Sequence, residues 1–399
     1  MNPALFRELL SPGGQDVLRA ASRLASNEEA YLWELGALRR ACPQASRALA
    51  GAALDTALLR LRAQHKFSRA SAMYFTREAL EQATTETVGR YHAQRFAGQP
   101  RVADLGCGIG GDALHLAAVS EVAADDRDEL RVLMARENLV AYGAKARLLL
   151  ADLISPGALK TLGIERHAIF CDPSRREAGR RFFHTQGYSP PLSTVLGWQH
   201  AWPGRATGVK LSPGVDLREL PPSECEVEFV SQGGELKEAM LWMGPLCTAP
   251  RRATLLPQGE SLVATSAEAA PVSEPMAFLY EPDPAILRAG LVAELARRLD
   301  AAQIDADIAY LTSNLLVPTP FARAFALEAA MPFGLKRLRE WLRAHGVGQV
   351  VIKKRGSPLE PSELEQALRL RGEARRTIFL THVSGEPFVL VGEPIVSGE

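Results

Sequence analysis

The chain has 399 residues, of which 47% are hydrophobic and 23% charged, and its 46 basic and 46 acidic side chains leave a formal net charge of +0. That length predicts two or three domains, and that composition excludes a disordered chain. The charge balance excludes a protein held to nucleic acid by bulk charge alone, while leaving room for a local basic face.

Residues 1–97 read as a helical domain. Apolar side chains recur at helical spacing, as in Val17, Leu18, Ala21 and Leu24, then Leu32, Leu35 and Leu38. Thr76 is placed to cap a helix, its hydroxyl accepting from the free amides of the next turn. The texture changes over 98–248, where short apolar runs alternate with amphipathic ones. Strands are expected at 101–105, 121–125, 146–151, 168–171, 207–211, 226–231 and 239–243, with a helix over 128–142. Such alternation predicts an α/β domain with a parallel sheet covered on both faces. The last two strands are joined through Gly233-Gly234, too short a link for a helical crossover, so they are expected as an antiparallel hairpin at one sheet edge. Residues 249–275 read as a linker carrying a short hairpin, 253–256 with 261–264. Residues 276–399 read as a separate α+β domain, with helices at 284–299 and 363–371 and strands at 347–353, 376–381 and 388–391.

Four strand ends carry polar residues in a telling order. The first runs into Asp104-Leu-Gly-Cys-Gly-Ile-Gly-Gly-Asp112, where Gly106, Gly108 and Gly110 let backbone amides approach a ligand and Cys107 is small enough to be tolerated. A Gly-x-Gly match alone is weak. Asp104, however, suits an amine or an ordered water and would repel a pyrophosphate. The second strand ends in Asp125-Asp126-Arg127, where an acid can hold ribose hydroxyls; Asp126 is the better placed and Asp125 the runner-up. The third ends in Asp152-Leu153, where the carboxylate can accept from an adenine amino group. The fourth ends in Cys171-Asp-Pro-Ser-Arg-Arg176, at the carboxyl end of a central strand where reaction chemistry sits. An acid that ends a strand is common by itself. In this order, the acids point to a cofactor with net positive charge, S-adenosylmethionine. The candidate cofactor-binding set is Asp104, Gly106, Cys107, Gly108, Gly110, Asp112, Asp126, Arg127, Asp152, Leu153 and Asp172, and the candidate catalytic set is Asp172, Pro173, Ser174 and Arg175.

With those residues in view, 100–245 resembles a class I methyltransferase, whose seven-stranded Rossmann-like sheet ends in an antiparallel hairpin. More narrowly, 104–112, 126–143 and the upstream 74–84 resemble the RNA cap guanine-N2 (trimethylguanosine synthase) superfamily. The whole-chain organisation is similar to bacterial methyltransferases with a THUMP-like C-terminal domain. The motifs expected of that group, Asp-Pro-Ser-Arg-Arg, Lys-Leu-Ser-Pro-Gly and Val-Ser-Gly, stand here at 172–176, 210–214 and 383–385. The resemblance implies S-adenosylmethionine as cofactor and RNA, tRNA or rRNA, as partner.

Enzymes that methylate exocyclic amines of bases often carry Asp/Asn-Pro-Pro-aromatic at this strand end. The carboxylate or amide and a backbone carbonyl orient the nitrogen lone pair towards the methyl group. Here Ser174 and Arg175 follow Pro173, so stacking on a base falls to Phe182, Phe183, Tyr188, Trp198 or Arg175 itself. Arg175, Arg176, Arg180 and Arg181 either meet phosphate or form a solvated face with Glu177, and Lys210 could face the substrate. In the C-terminal domain Lys353-Lys-Arg355, Arg369, Arg371, Arg375 and Arg376 could follow a phosphate backbone, although Glu360, Glu363, Glu365 and Glu373 interleave with them. The five cysteines form no Cys-x-x-Cys pair and the eight histidines keep no ligand spacing, so no metal is expected. No apolar run approaches the roughly 18 residues that span a bilayer. The start of the chain lacks the basic and apolar regions of a signal peptide, so a cytoplasmic protein with no membrane partner is expected. Competing readings are a small-molecule or protein methyltransferase and a non-catalytic RNA-binding factor that keeps the cofactor fold. A nicotinamide-dependent dehydrogenase is disfavoured by Asp104 and the terminal hairpin.

Overall fold

The computed structural model describes residues 1–153, 157–174, 176–177, 180–181, 184–221 and 223–395. Its packing divides the chain into two compact units. One comprises Met1–Glu226 with Ala239–Thr248, the other Val227–Glu238 with Ala249–Glu399.

The first unit opens with six helices: α1 (Pro3–Leu10), α2 (Pro12–Leu24), α3 (Tyr31–Ala41), α4 (Arg47–Ala63), α5 (Arg77–Gln82) and α6 (Glu86–Arg95). Five begin on a side chain that accepts from a free amide of the first turn: Asn2, Ser11, Ser46, Thr76 and Thr85. The Thr76 cap is the one expected from sequence, with Oγ1 accepting from Ala79 N at 3.1 Å. α4 is buried along most of its length by small residues such as Ala50, Ala53 and Ala57, which let its neighbours approach closely.

The sheet region follows in alternation: β1 (Arg101–Leu105), α7 (Ala113–Leu116), β2 (Glu121–Asp126), α8 (Glu129–Tyr142), β3 (Ala146–Leu150), α9 (Ala158–Thr161), β4 (Ala168–Cys171), β5 (Arg176–Glu177), β6 (Arg180–Arg181), α10 (Leu192–Ala201), β7 (Thr207–Leu211), β8 (Cys225–Gln232) and β9 (Glu235–Met243). Strands β3, β2, β1, β4 and β7 lie side by side in that order, all parallel, and β9 runs antiparallel against β7. Strand order reverses between β1 and β4, which is where open α/β sheets place ligands. Helices and sheet share one hydrophobic core, from Phe6 and Leu54 through Phe96 to Phe170 and Trp242. The helices of 1–97, expected as a separate domain, therefore belong to the same packed unit as the sheet.

In the second unit β8 pairs in parallel with β10 (Arg251–Leu256), and β10 pairs antiparallel with β11 (Glu260–Val263). This corrects the expected seven-stranded sheet ending in an edge hairpin: β8 carries a further strand on its flank and is no edge. The hairpin foreseen in 249–275 supplies both additional strands. The rest is a seven-stranded sheet with four helices: β12 (Phe278–Pro282), α11 (Pro284–Ala289), α12 (Val292–Leu299), β13 (Ala302–Asp305), β14 (Ile308–Ser313), β15 (Ala322–Pro332), α13 (Leu335–Ala344), β16 (Val347–Lys354), α14 (Pro361–Leu368), β17 (Ala374–Val383) and β18 (Glu386–Pro394). Only the β16–β17 pair is parallel. The single helix expected over 284–299 is two, because Gly290 turns left-handed at φ 71° and closes α11. Among the described residues no helix is long and apolar enough to cross a membrane.

One side chain ties the helical segment to the sheet. Asn138 on α8 is fully buried; its Oδ1 accepts from Tyr74 N at 2.7 Å, and its Nδ2 donates to Tyr74 O at 3.1 Å and Ile109 O at 2.9 Å. Truncation would leave three buried backbone groups unpaired. Asn138→Ala is expected to lower the unfolding free energy by about 3 kcal/mol or more in urea titrations, against under ~0.5 kcal/mol for the exposed Arg136→Ala.

Candidate active site

The neighbouring ends of β1 and β4 set the geometry. Leu105 stands beside Cys171 in register, and Asp172 N donates to Leu105 O at 3.2 Å. Gly106 adopts φ 78°, and a Cβ there would lie 3.1 Å from the Asp172 carbonyl oxygen. Both facts restrict this position to glycine. The loop is then held by its own backbone: Cys107 N donates to Asp125 O at 2.8 Å and Gly110 N to Cys107 O at 2.8 Å. Cys107 and Cys171 are buried, and burial pushes both thiols well up, as expected of packing residues.

Carboxylates gather around this loop. Asp104 is buried, and among the described residues neither of its oxygens has a hydrogen-bond partner. Burial, followed by the charges of Asp112, Asp125 and Asp172, holds its carboxyl well above the usual range. Asp125 is likewise buried with Oδ1 unpartnered; burial and Asp126 push it up to about 7 against a hydrogen bond from the Gly106 amide. Asp126 is engaged by backbone, Oδ2 accepting from Gly108 N at 3.0 Å and Oδ1 from Asp128 N at 2.8 Å, and burial still raises its pKa. Of the two acids weighed for ribose, Asp126 thus anchors the loop and Asp125 keeps an oxygen without a partner. Arg127 and Asp152 come together with Asp128, Leu150 and Ala151 around an open depression of about 660 Å³, and Leu153 is buried beside it in sequence.

The reaction end of the loop holds a chain of contacts that sequence reasoning did not assemble. Asp112, buried, accepts from His92 Nδ1 at 2.7 Å and from Thr84 Oγ1 at 2.6 Å. Burial by itself raises the Asp112 carboxyl, but His92, Lys210 and Thr84 outweigh it and bring it to about 2. Lys210 Nζ donates to Thr84 Oγ1 at 2.8 Å and to Asp172 Oδ2 at 2.9 Å. Lys210, expected to face a substrate, is therefore buried, with 6% of its side chain exposed against 27% for Asp172. Thr84 and His92 were missed; the one signal was Thr84 closing the upstream segment 74–84. Pro173 is buried, and Ser174 exchanges two 2.9 Å hydrogen bonds with Ser189. Tyr188 is buried with its hydroxyl accepting from Ser212 N, while Trp198 is half-buried on α10. Arg175, Phe182 and Phe183 lie outside the described residues, and Arg176–Glu177 pairs with Arg180–Arg181 as a two-stranded ribbon. Among the described residues no group of three His, Cys, Asp or Glu could hold a metal ion.

Because the folded Asp125 carboxyl titrates near 7 rather than at its ordinary 3.8, ionising it opposes folding. Its contribution is most favourable below about pH 4 and is lost as pH rises through about 7. Asp125→Asn is expected to gain stability on the wild type between about pH 5 and pH 8, by up to roughly 4 kcal/mol, in ligand-free urea unfolding. A difference that does not vary with pH would contradict this.

Comparison with known proteins places the chain in a family. Residues 322–394 match a THUMP domain-like family, and residues 2–63 match a domain of unknown function. A crystal structure from Porphyromonas gingivalis, provisionally described as a methyltransferase, has the same fold with a TM-score of 0.73; it covers 93% of this chain and 100% of its own, at 22% identity. Uncharacterized S-adenosylmethionine-dependent methyltransferases from two strains of Mycobacterium tuberculosis are 36% identical over 345 residues, 83% of this chain and 92% of theirs. The chain belongs to the S-adenosylmethionine-dependent methyltransferases.

Proposed function

We propose that this methyltransferase acts in the cytoplasm on a base of tRNA or rRNA, with Asp172 orienting the acceptor nitrogen. The observation that carries the reading is the THUMP-like module at 322–394 on the same chain as the methyltransferase sheet. Within that module and its neighbourhood the basic residues divide. Lys353 pairs with Glu281, Lys354 with Glu360, and Arg376 with Glu328 and Glu393. Arg369, Arg371 and Arg375 are exposed and are the stronger candidates for phosphate contact.

The residues fit the methyl donor. The buried, unpartnered oxygens of Asp104 suit a cationic amine. In this reading Asp126 holds the ribose hydroxyls, and Asp152 with Arg127 borders the adenine. S-adenosylmethionine, when bound, supplies an electrophilic methyl group at the switch point between β1 and β4. The chain's own work there is positional. The partly exposed Asp172 carboxylate accepts from an exocyclic amine and aligns its lone pair for in-line attack. Tyr188 is committed to Ser212, so among the described aromatics of this insert Trp198 is the better candidate for stacking on the base.

Mass spectrometry of tRNA and rRNA nucleosides from cells with and without the gene tests the reading. One methylated nucleoside should disappear with the gene and return with the wild type but not with Asp172→Ala. Unchanged nucleosides in every RNA fraction, with cofactor binding intact, would overturn it. Asp126→Ala should weaken S-adenosylmethionine binding about 10- to 100-fold by calorimetry, the loss expected for a charged hydrogen-bond acceptor. Asp172→Ala should leave that affinity within about threefold, since its role lies with the acceptor.

A further inference from the structure

We propose that Lys210 is a positioning residue of the transfer site, which fixes the Asp172 carboxylate as part of a buried chain of hydrogen bonds that runs through Thr84 and Asp112 to His92. The inference rests on the reading of Asp172 as the group that orients the acceptor.

The register explains how a lysine reaches this point. Cys171 on β4 stands beside Val209 on β7, so the next residue on each strand, Asp172 and Lys210, meet at the carboxyl edge. Every other strand position from Thr207 to Leu211 is also buried. An ammonium in such a place is costly unless it is paired and its hydrogens are taken. Its pairing is ordered. Asp112 is an ionised acceptor, so His92 Nδ1 donates to one oxygen and Thr84 Oγ1 to the other. With its hydrogen committed to Asp112, the Thr84 oxygen offers only lone pairs, and Lys210 donates to it. A second Lys210 hydrogen goes to Asp172 Oδ2, leaving Oδ1 for an acceptor.

The far end of the chain is rigid. The His92 ring is fully buried, 5.1 Å from the Phe170 ring and 6.3 Å from that of Trp242. His92, Asp112, Thr84 and Lys210 are all buried, and Asp172 alone opens outwards. A buried ion pair adds little to stability compared with apolar packing of the same volume. What it supplies here is a carboxylate held in one orientation. It also sets a cation against the acidic groups that face this edge: Asp104 from β1, Asp112 after it, Asp125 from β2 and the Cys171 thiol from β4. Without Lys210, Asp172 has no cation beside it to hold its carboxylate in place.

The test uses the full-length protein and three variants: Lys210→Met, Lys210→Arg and Thr84→Val. Methyl transfer to total RNA from cells lacking the gene is followed as kcat and KM, cofactor affinity by calorimetry, and the orientation of the Asp172 side chain by crystal structures of the wild type and the variants. Lys210→Met should lower kcat at least tenfold with the KM for RNA within about threefold, and should release the Asp172 carboxylate from its wild-type orientation. Cofactor affinity should stay within about threefold, Lys210→Arg should restore most of the rate, and Thr84→Val should fall between. An Asp172 carboxylate that keeps its orientation in Lys210→Met, or a loss of rate that Arg does not rescue, would overturn the proposal. If the wild type methylates no RNA, the RNA reading fails while the crystal structures still decide the role of Lys210. If Lys210→Met does not fold, the structures of Thr84→Val and Lys210→Arg decide between these outcomes.

Discussion

Like charges buried together dominate this methyltransferase. Asp104, Asp112, Asp125 and Asp126 are all buried at one edge of a parallel sheet, with Asp172 half-buried beside them. Each ionised carboxylate raises the cost of the next in a medium that screens poorly. The fold compensates with what is near. Backbone amides of Gly106, Gly108 and Asp128 serve Asp125 and Asp126, and His92, Thr84 and Lys210 serve Asp112 and Asp172. Asp104 receives no partner among the described residues.

The same constraint explains why the helical segment packs into the sheet's core instead of standing apart. Thr84 precedes α6 and His92 lies within it, so two of the groups that donate hydrogen bonds to the acidic edge come from outside the sheet. Asn138 holds Tyr74 and the glycine loop at one point, which keeps that supply in place. The upstream run 74–84 and the helix 128–142, far apart in sequence, therefore serve one purpose: both brace the loop between Asp104 and Asp112.

Much of the sheet was legible because strand ends announce themselves. Short apolar runs closed by Asp104, Asp126, Asp152 and Asp172 gave the order of β1 to β4, and alternation gave their parallel sense. The role of Lys210 was not legible, because a lone lysine in Thr207–Leu211 reads as a polar interruption until the register sets it beside Asp172. Thr84 and His92 were hidden for a related reason: a bond between residues 28 or 20 positions apart leaves no periodicity. The break of one expected helix at Gly290 shows the opposite limit, since an isolated glycine in a helical pattern is often tolerated and only the left-handed backbone ends α11. Strand β15 was missed because charges such as Arg323 and Glu328 interrupt its apolar residues, and β12, β13 and β14 because each is only four to six residues long. For the candidate site, sequence located the acids; it could not say which are paired and which are not.

The chain passes between its two compact units three times, at residues 226–227, 238–239 and 248–249. Neither unit is a continuous piece of polypeptide. No single proteolytic cut can release either one whole, since a break after residue 248 leaves 227–238 of the second unit on the first fragment. Loss of the chain beyond residue 248 would leave β8 without its partner β10.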